Sequence, residues 1–309
     1  MMSEELLPRV LSASDPSRAA TKDVAIAPDG ARYAACFGRT VLIGDWASGE
    51  EIVRLQMQAP LRALAFAPDG SRMACACDDG SIHLLDVTGQ REAQVLASEH
   101  GGYYEIAWSP DGRRIAGAHI DPLVSLFDLS GSEPAKTLDP KIFSDEGRTA
   151  VAFSPDGAIL ASTGYNAIPR WSAGGQRLKR LGVKGYTFFL DIAFAPDASA
   201  VAAIAETEGR MTLHFWTADG ARKIGKIALP GFSARVAWSS DSSFVAVTAS
   251  ETPGLSLWSP QSLARSEISV HGVSMDMAAL AAHPARRAFI AGSEHGQLVI
   301  WEEHGVTKS

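Results

Sequence analysis

Two cysteines come closest to forming a redox or metal-binding pair in this chain. Cys75 and Cys77 lie two positions apart, so side-chain alternation along a strand would place both thiols on one face. With Cys36 the set is odd in number, and it contains no C-x-x-C pair. Small core thiols therefore explain the pair better than a metal or redox site. This cysteine usage favours a reducing, cytoplasmic location.

Histidine is the other residue type here that could ligate a metal, and the chain has eight. His119 and His295 fall in predicted loops between second and third strands, on one face of the fold. No acidic partners recur at matching positions, so a metal site is the less favoured interpretation. Residues 293–296 are better explained as a tight turn, as are residues 78–80, which lack the oxygen spacing of a calcium loop.

The sequence also lacks the short motifs of common enzymes. It has no G-x-S-x-G elbow, no phosphate-binding G-x-x-x-x-G-K-[ST] loop and no H-E-x-x-H pair. No cofactor is predicted. The net charge of −7 disfavours general nucleic-acid binding. No segment has the ~18 apolar residues needed to span a membrane, and the first twenty residues lack the apolar run of a signal peptide.

A repeated segment organises the chain. VAIAPDG at residue 24 has copies that begin near residues 64, 106, 151, 192, 236 and 280, and each copy has an alanine at its second position. We call this residue the repeat alanine. Successive repeat alanines are 40, 42, 45, 41, 44 and 44 residues apart. A period of ~40–45 residues is typical of the four-stranded blades of a β-propeller.

Each copy has the pattern of an inner strand followed by a turn. Bulky residues flank the repeat alanine, so one face of the strand packs while the small face allows close approach of another backbone. In the P-D-G that follows, Pro28 sets φ and Gly30 permits a positive φ. Two further apolar runs follow in each unit, and a weaker fourth run follows in all but the last. The predicted class is therefore all-β, a single seven-bladed propeller over residues 1–309 with four antiparallel strands per blade.

The last unit is incomplete. It ends soon after Trp301, at the end of its third strand, so its outer strand must come from elsewhere. Residues 6–12 have no other place in the scheme, and Pro8 is tolerated in an outermost strand. We therefore expect this segment to join the last blade and close the ring.

These features resemble the WD-repeat β-propeller family, in a degenerate, prokaryotic-looking form. The resemblance rests on the S-P-D-G turns and on the residue pairs that end the third strands. Those pairs are Leu85-Asp86, Phe127-Asp128, Trp216-Thr217, Trp258-Ser259 and Trp301-Glu302. The Trp-Asp pair itself is absent at this position, and so is the Gly-His that precedes the first strand in the family. The resemblance implies a non-catalytic protein whose role is to bind other proteins.

One end of the propeller is expected to bind the partner. The P-D-G turns form one end. The other end carries the blade-to-blade connections and the loops between second and third strands, including the aromatic segment 182–191. We call this end the loop-rich face. Candidate partner-binding residues precede the inner strands near the central channel: Lys22, Arg62, Tyr104, Arg148, Phe189 and Arg235. Arginine mixed with exposed aromatics has the composition of protein-binding hot spots.

Three functions remain open on the sequence alone. The favoured one is an interaction scaffold within a larger assembly, which docks a partner protein or peptide on the loop-rich face. The second is a propeller enzyme, either lactonase-like or a metal-dependent hydrolase. The third is a propeller that binds a small anionic or carbohydrate ligand, for which Arg62 and Arg235 are the candidate contacts.

Overall fold

The strands of the chain group into seven small sheets. The computed structural model describes residues 5–11, 19–88, 92–97, 100–121, 123–131, 135–140, 149–183, 185–232, 235–248, 254–266, 269–270 and 277–303. These residues form 29 strands, and none of their segments is a helix long and apolar enough to cross a membrane. The sheets are the blades of a propeller, and the predicted all-β, seven-bladed fold is confirmed.

The first strand and the first three blades follow the order of the repeats. The chain begins with β1 (Glu5–Val10). Blade 1 contains β2 (Thr21–Ile26), β3 (Arg32–Phe37), β4 (Thr40–Asp45) and β5 (Glu51–Gln56). Blade 2 contains β6 (Leu61–Phe66), β7 (Arg72–Cys77), β8 (Ser81–Asp86) and β9 (Glu92–Ala97). Blade 3 contains β10 (Tyr103–Trp108), β11 (Arg114–His119), β12 (Val124–Asp128) and β13 (Lys136–Leu138).

The remaining blades repeat this arrangement. Blade 4 contains β14 (Val151–Phe153), β15 (Ile159–Ser162), β16 (Ala167–Ser172) and β17 (Arg177–Gly182). Blade 5 contains β18 (Thr187–Phe194), β19 (Ala200–Thr207), β20 (Arg210–Thr217) and β21 (Lys223–Ala228). Blade 6 contains β22 (Val236–Trp238), β23 (Val245–Thr248), β24 (Leu255–Ser259) and β25 (Ala264–Arg265). Blade 7 contains β26 (Ser269–Val270), β27 (Met277–Ala282), β28 (Ala288–Ser293), β29 (Leu298–Glu303) and β1.

The P-D-G segments form tight turns between the first and second strands. In blade 1 the amide of Gly30 donates to the carbonyl of Ala27 at 2.8 Å, and Gly30 has a φ of 70°. Asp29 accepts a hydrogen bond from the amide of Ala31 at 2.9 Å, which lowers the pKa of its carboxyl. Copies that have lost the glycine keep the backbone shape, because Ala198 has a φ of 58° at the equivalent position.

The hydrophobic core is divided between the blades. The second strand of each blade is buried on both faces because a neighbouring blade packs on each side; β7 and β19 are examples. Seven hydrophobic clusters are present among the described residues, and each joins two adjacent blades. Alanine, valine and cysteine suit these strands since small side chains allow sheets to stack closely. Cys36, Cys75 and Cys77 are all buried in the cluster between blades 1 and 2.

The N-terminal strand closes the ring. β1 pairs antiparallel with β29, with Leu6 opposite Glu303 and Pro8 opposite Trp301, as the incomplete last repeat predicted. Leu6 is buried in the cluster between blades 6 and 7. The short β26 also pairs in parallel with the outer edge of β1, so the last sheet has five strands. Two residues carry too little pattern for this extra strand to be predicted.

Candidate functional site

A β-bulge at the same repeat position shapes the start of five inner strands. The pairing register shifts between the residues four and two positions before the repeat alanine in β2, β6, β10, β18 and β27. The residue left between them lies in the bulge. These residues are Lys22, Arg62, Tyr104, Leu190 and Ala278. A bulge redirects its extra residue, and all five line the cavity described next.

A cavity lies where the inner strands of all seven blades converge, and we call it the channel mouth. Its lining residues are Thr21, Lys22, Arg62, Tyr104, Glu105, Thr149, Leu190, Arg235, Ala278 and Glu294. The cavity has a volume of about 50 Å³. That space suits a few waters or the tip of one side chain.

Charged residues in the channel wall occupy one column of the repeat. Two positions before the repeat alanine, blades 1, 3, 5 and 6 carry Asp23, Glu105, Asp191 and Arg235. The other three blades have alanine at this position. Since the inner strands surround the channel, this column brings together three carboxylates and one guanidinium that are distant in the sequence.

The two aspartates tie neighbouring blades together. Asp23 accepts hydrogen bonds from the amide of Val24 at 2.9 Å and from the amide of Leu64, in the next inner strand, at 2.8 Å. Asp191 repeats the arrangement, since Val236 of the next blade donates to its second oxygen at 2.7 Å. A carboxylate that accepts two amide protons can thus join strands that share no ladder.

An ion pair crosses the channel. Nη1 of Arg235 lies 2.8 Å from Oε2 of Glu105, which joins blade 6 to blade 3. The Nε of Arg235 also donates to the carbonyl of Ala278 in blade 7, at 3.2 Å. Both charged side chains are mostly buried, so water screens the pair weakly. This single arginine therefore links three blades around the channel.

The environment of the channel raises the pKa of its acids. Burial is the largest cause for Asp23 and raises its pKa from 3.8 to about 6, while Arg235 opposes the shift. Burial also raises the pKa of Glu105, with a further contribution from the charge of Asp191. The carboxylates around Arg235 raise the pKa of its guanidinium against the effect of burial. One cation thus faces three acids in a poorly hydrated space.

Four of the six predicted binding residues lie at the channel mouth. Lys22 is exposed there. Arg62 forms an ion pair with Asp78, and its guanidinium lies 5.8 Å from the ring centroid of Tyr104. Arg235 pairs with Glu105. A small anion would have to compete with these two carboxylates for the arginines.

The other two predicted residues have different outcomes. Phe189 does not face the channel mouth: it is 2% exposed and packs against His214 and Trp216. The bulge after Phe189 gives its expected place to Leu190. Arg148 lies outside the described residues. The missed members of the wall, Asp23, Glu105 and Asp191, become visible in the sequence once all seven copies are aligned on the repeat alanine.

The histidines considered as ligands occupy separate environments. His119 is buried, with Nε2 2.7 Å from the hydroxyl of Ser125 and its ring centroid 4.4 Å from that of Tyr103. His295 is exposed in the turn closed by Gly296, whose φ is 73°. Within the described part of the chain, no three His, Cys, Asp or Glu side chains are grouped so as to hold a metal ion.

Exposed aromatic residues mark the loop-rich face beside blades 4 and 5. Tyr186 is 73% exposed, and its ring centroid lies 6.2 Å from that of Tyr165. The ring centroid of Phe188 lies 4.8 Å from that of Tyr165. Phe232, in the connection to blade 6, is also exposed. Tyr165, Tyr186 and Phe188 form a cluster that we call the aromatic patch.

Comparisons with known proteins agree with this architecture. Residues 50–86 match the WD40 family model, described as WD domain, G-beta repeat. The match begins just before the outer strand of blade 1 and ends with the third strand of blade 2, so one sequence repeat spans two blades. The resemblance to WD-repeat proteins is therefore confirmed by this repeat.

The fold similarity extends over nearly the whole chain. The crystal structure of the Myceliophteria thermophila Cps50 (Swd1) beta-propeller domain superposes with a TM-score of 0.80. The sequences are 15% identical, and the match covers 96% of this chain and 100% of the other. No curated protein matches the chain in sequence.

Proposed function

We propose that this protein is a non-catalytic scaffold that docks a partner protein or peptide on its loop-rich face, around the channel mouth. The WD40 match supports the proposal because propellers of this type typically serve as interaction platforms. The rigid ring of seven interlocked blades suits that role, since a preorganised surface loses little entropy on binding. In this proposal the protein is a cytoplasmic subunit of a larger assembly.

The aromatic patch is the observation that carries the proposal. Large apolar side chains on a folded protein are costly to leave in water, and those of Tyr186 and Phe188 are both exposed beside Tyr165. Aromatic residues dominate the energetics of protein interfaces because they bury a large area with few rotatable bonds. The opposite end of the propeller instead presents the P-D-G turns, which are polar and whose aspartates are already hydrogen-bonded within the turn.

The residues of the channel mouth would complete the interface. Lys22, Arg62 and Tyr104 lie beside the channel, where a partner on the loop-rich face would meet them. Arg235 would contribute mainly by holding the channel wall together, since its charge is paired with that of Glu105. Arg148 remains a predicted contact. A polar rim around an aromatic centre is the usual organisation of a protein-binding surface.

The test uses the tagged full chain, purified gently from its native source. The variant Tyr186→Ala/Phe188→Ala removes two of the three rings of the aromatic patch, and the control Ile52→Ala removes an exposed apolar side chain from the outer strand β5. We expect a stoichiometric partner with the unmodified chain and with Ile52→Ala. Loss of the patch should weaken capture by ~30-fold or more, the effect of one hot spot.

Two results would overturn the proposal. One is equal capture of the partner by all three proteins, provided that their melting temperatures agree. The other is a chain that purifies alone with about one equivalent of bound metal, because that result favours the propeller-enzyme alternative.

A further inference from the structure

The outer strands of three adjacent blades carry positive charge and no negative charge, and two of these strands contain more than one cation. The outer strands β13, β17 and β21 read KTL, RLKRLG and KIGKIA and contain no acidic residue. Their exposed cations form a surface that we call the basic wall. These cations are Lys136, Arg177, Lys179, Arg180, Lys223 and Lys226. The wall stands out because the chain as a whole has a net charge of −7.

Contacts between the blades make the wall one continuous surface. The Nζ of Lys136 in blade 3 donates to the carbonyl of Gly174 in blade 4 at 2.9 Å, and the guanidinium of Arg177 reaches back to the carbonyl of Pro140. The buried Arg170 donates to the carbonyl of Lys179 and to that of Asp219 in blade 5, both at 2.8 Å. The three outer strands therefore hold a defined spacing.

The charges of the wall are not neutralised within the described residues. None of the ion pairs formed there includes a cation of the wall, whereas two outer-strand arginines elsewhere are paired. Arg9 lies 3.3 Å from Glu302, and Arg54 lies 2.6 Å from Glu51. Burial and then the charge of Lys226 lower the pKa of Lys223, so part of the wall is under mutual repulsion.

Protection of sheet edges does not account for the wall. Lysines on outer strands commonly prevent edge-to-edge aggregation, but the outer strands β5, β9, β25 and β1 contain at most one cation each. β17 already has another protection. Its pairing with β16 shifts register between Ile168 and Arg170, and such a bulge twists the edge away from further pairing. The additional charge is therefore specific to blades 4 and 5, where β17 and β21 contain three and two cations; Lys136, the one cation of β13, extends it into blade 3.

We infer that the basic wall docks an acidic segment of a partner protein, held by its side-chain charges. The bulges at β17 and β21 disfavour addition of a strand, so binding relies on charge and falls with salt. The overall negative charge repels a long polyanion such as nucleic acid. A short acidic segment samples only the local field of the wall, within the ~8 Å reach of charges at physiological salt.

The test uses the full chain and a fluorescein-labelled peptide of about ten glutamates, measured by anisotropy in about 20 mM salt, where charge attraction is weakly screened. The wall variant is Lys179→Glu/Arg180→Glu/Lys226→Glu. The control, Arg210→Glu/Arg265→Glu/Arg286→Glu, makes the same change in net charge with exposed arginines outside the wall. We expect affinity to fall at least about tenfold for the wall variant and less than about twofold for the control.

Each other outcome overturns the inference. Equal losses in both triple variants would mean that only net charge matters. Absence of peptide binding by the unmodified chain would remove the site altogether. A single-stranded oligonucleotide of the same length that binds more tightly, with the same dependence on the wall, would assign the surface to nucleic acid. Matched melting temperatures verify that the variants are folded. The wall is separate from the aromatic patch, so this test leaves the scaffold proposal untouched.

Discussion

Replacing Asp23 by asparagine tests whether burial in the channel wall disfavours the ionised form of this side chain. The side chain accepts two backbone amide protons, yet burial raises its pKa from 3.8 to about 6. A folded-state pKa above the unfolded value means that folding favours the protonated acid. Asp23 therefore costs stability as the pH rises between these two values, and the cost is constant above them. Asparagine has a similar shape and cannot ionise.

The size of the effect follows from the shift. A difference of about two pKa units corresponds to roughly 3 kcal/mol at pH values above both, of which about 2 kcal/mol develops between pH 4.5 and 7. The free energy of unfolding of Asp23→Asn, relative to the unmodified protein, should therefore rise by about 2 kcal/mol across this range. The absolute difference in the free energy of unfolding at pH 4.5 also depends on the new side-chain amide, which has one acceptor oxygen where the carboxylate had two.

Urea unfolding at half-unit steps from pH 4.5 to 8 measures this difference directly. Asp29→Asn is the matched control, because turn hydrogen bonds lower the pKa of Asp29 and its contribution is constant above about pH 4.5. Its free energy of unfolding, plotted against pH, should run parallel to that of the unmodified protein. A difference for Asp23→Asn that stays flat or falls with pH would refute the reasoning. The two amides and Arg235 would then outweigh burial and hold Asp23 ionised.

Three further substitutions probe the scaffold, each measured by urea unfolding. Ala198→Gly should add about 0.5–1 kcal/mol by relieving a positive φ, whereas Ala221→Gly, at an exposed turn position without one, should not stabilise. Leu6→Ala should remove about 2–4 kcal/mol if β1 closes the ring, against less than about 0.5 kcal/mol for the exposed Val10→Ala. Arg235→Met should cost about 3 kcal/mol or more, with a larger loss at pH 8 than at pH 5; an equal loss would contradict its role as counter-ion.

The repeat predicts most of the fold because its signals are local. Bulky residues around the repeat alanine, followed by P-D-G, indicate a strand and a turn in one short segment, and the period indicates the blade. Even the closing strand follows from an unpaired third strand at Trp301. Loss of the glycine at Ala198 does not hide the turn, since the proline and aspartate around it remain.

The candidate site is less predictable because it depends on register. Alternation assigns faces by counting residues, and one bulge before Asp191 reverses the count, so that Phe189 is buried and Leu190 reaches the channel mouth. The pairing of Glu105 with Arg235 is harder still, since 130 residues separate them and only the closed ring brings them together. Column-by-column alignment of the repeats finds such positions, but it does not show which of them touch.

The pairing of β1 with β29 also imposes an order of events during synthesis. The strand β1 leaves the ribosome long before its partner Leu298–Glu303, because all the other strands lie between them in the sequence. Until then Leu6 has no pocket, and the apolar side of the final blade lacks its cover. Contacts between such distant segments form slowly. The nascent protein must therefore keep the unpaired strand β1 in solution while six blades assemble. Ring closure is then the step at which a chaperone would be of most use.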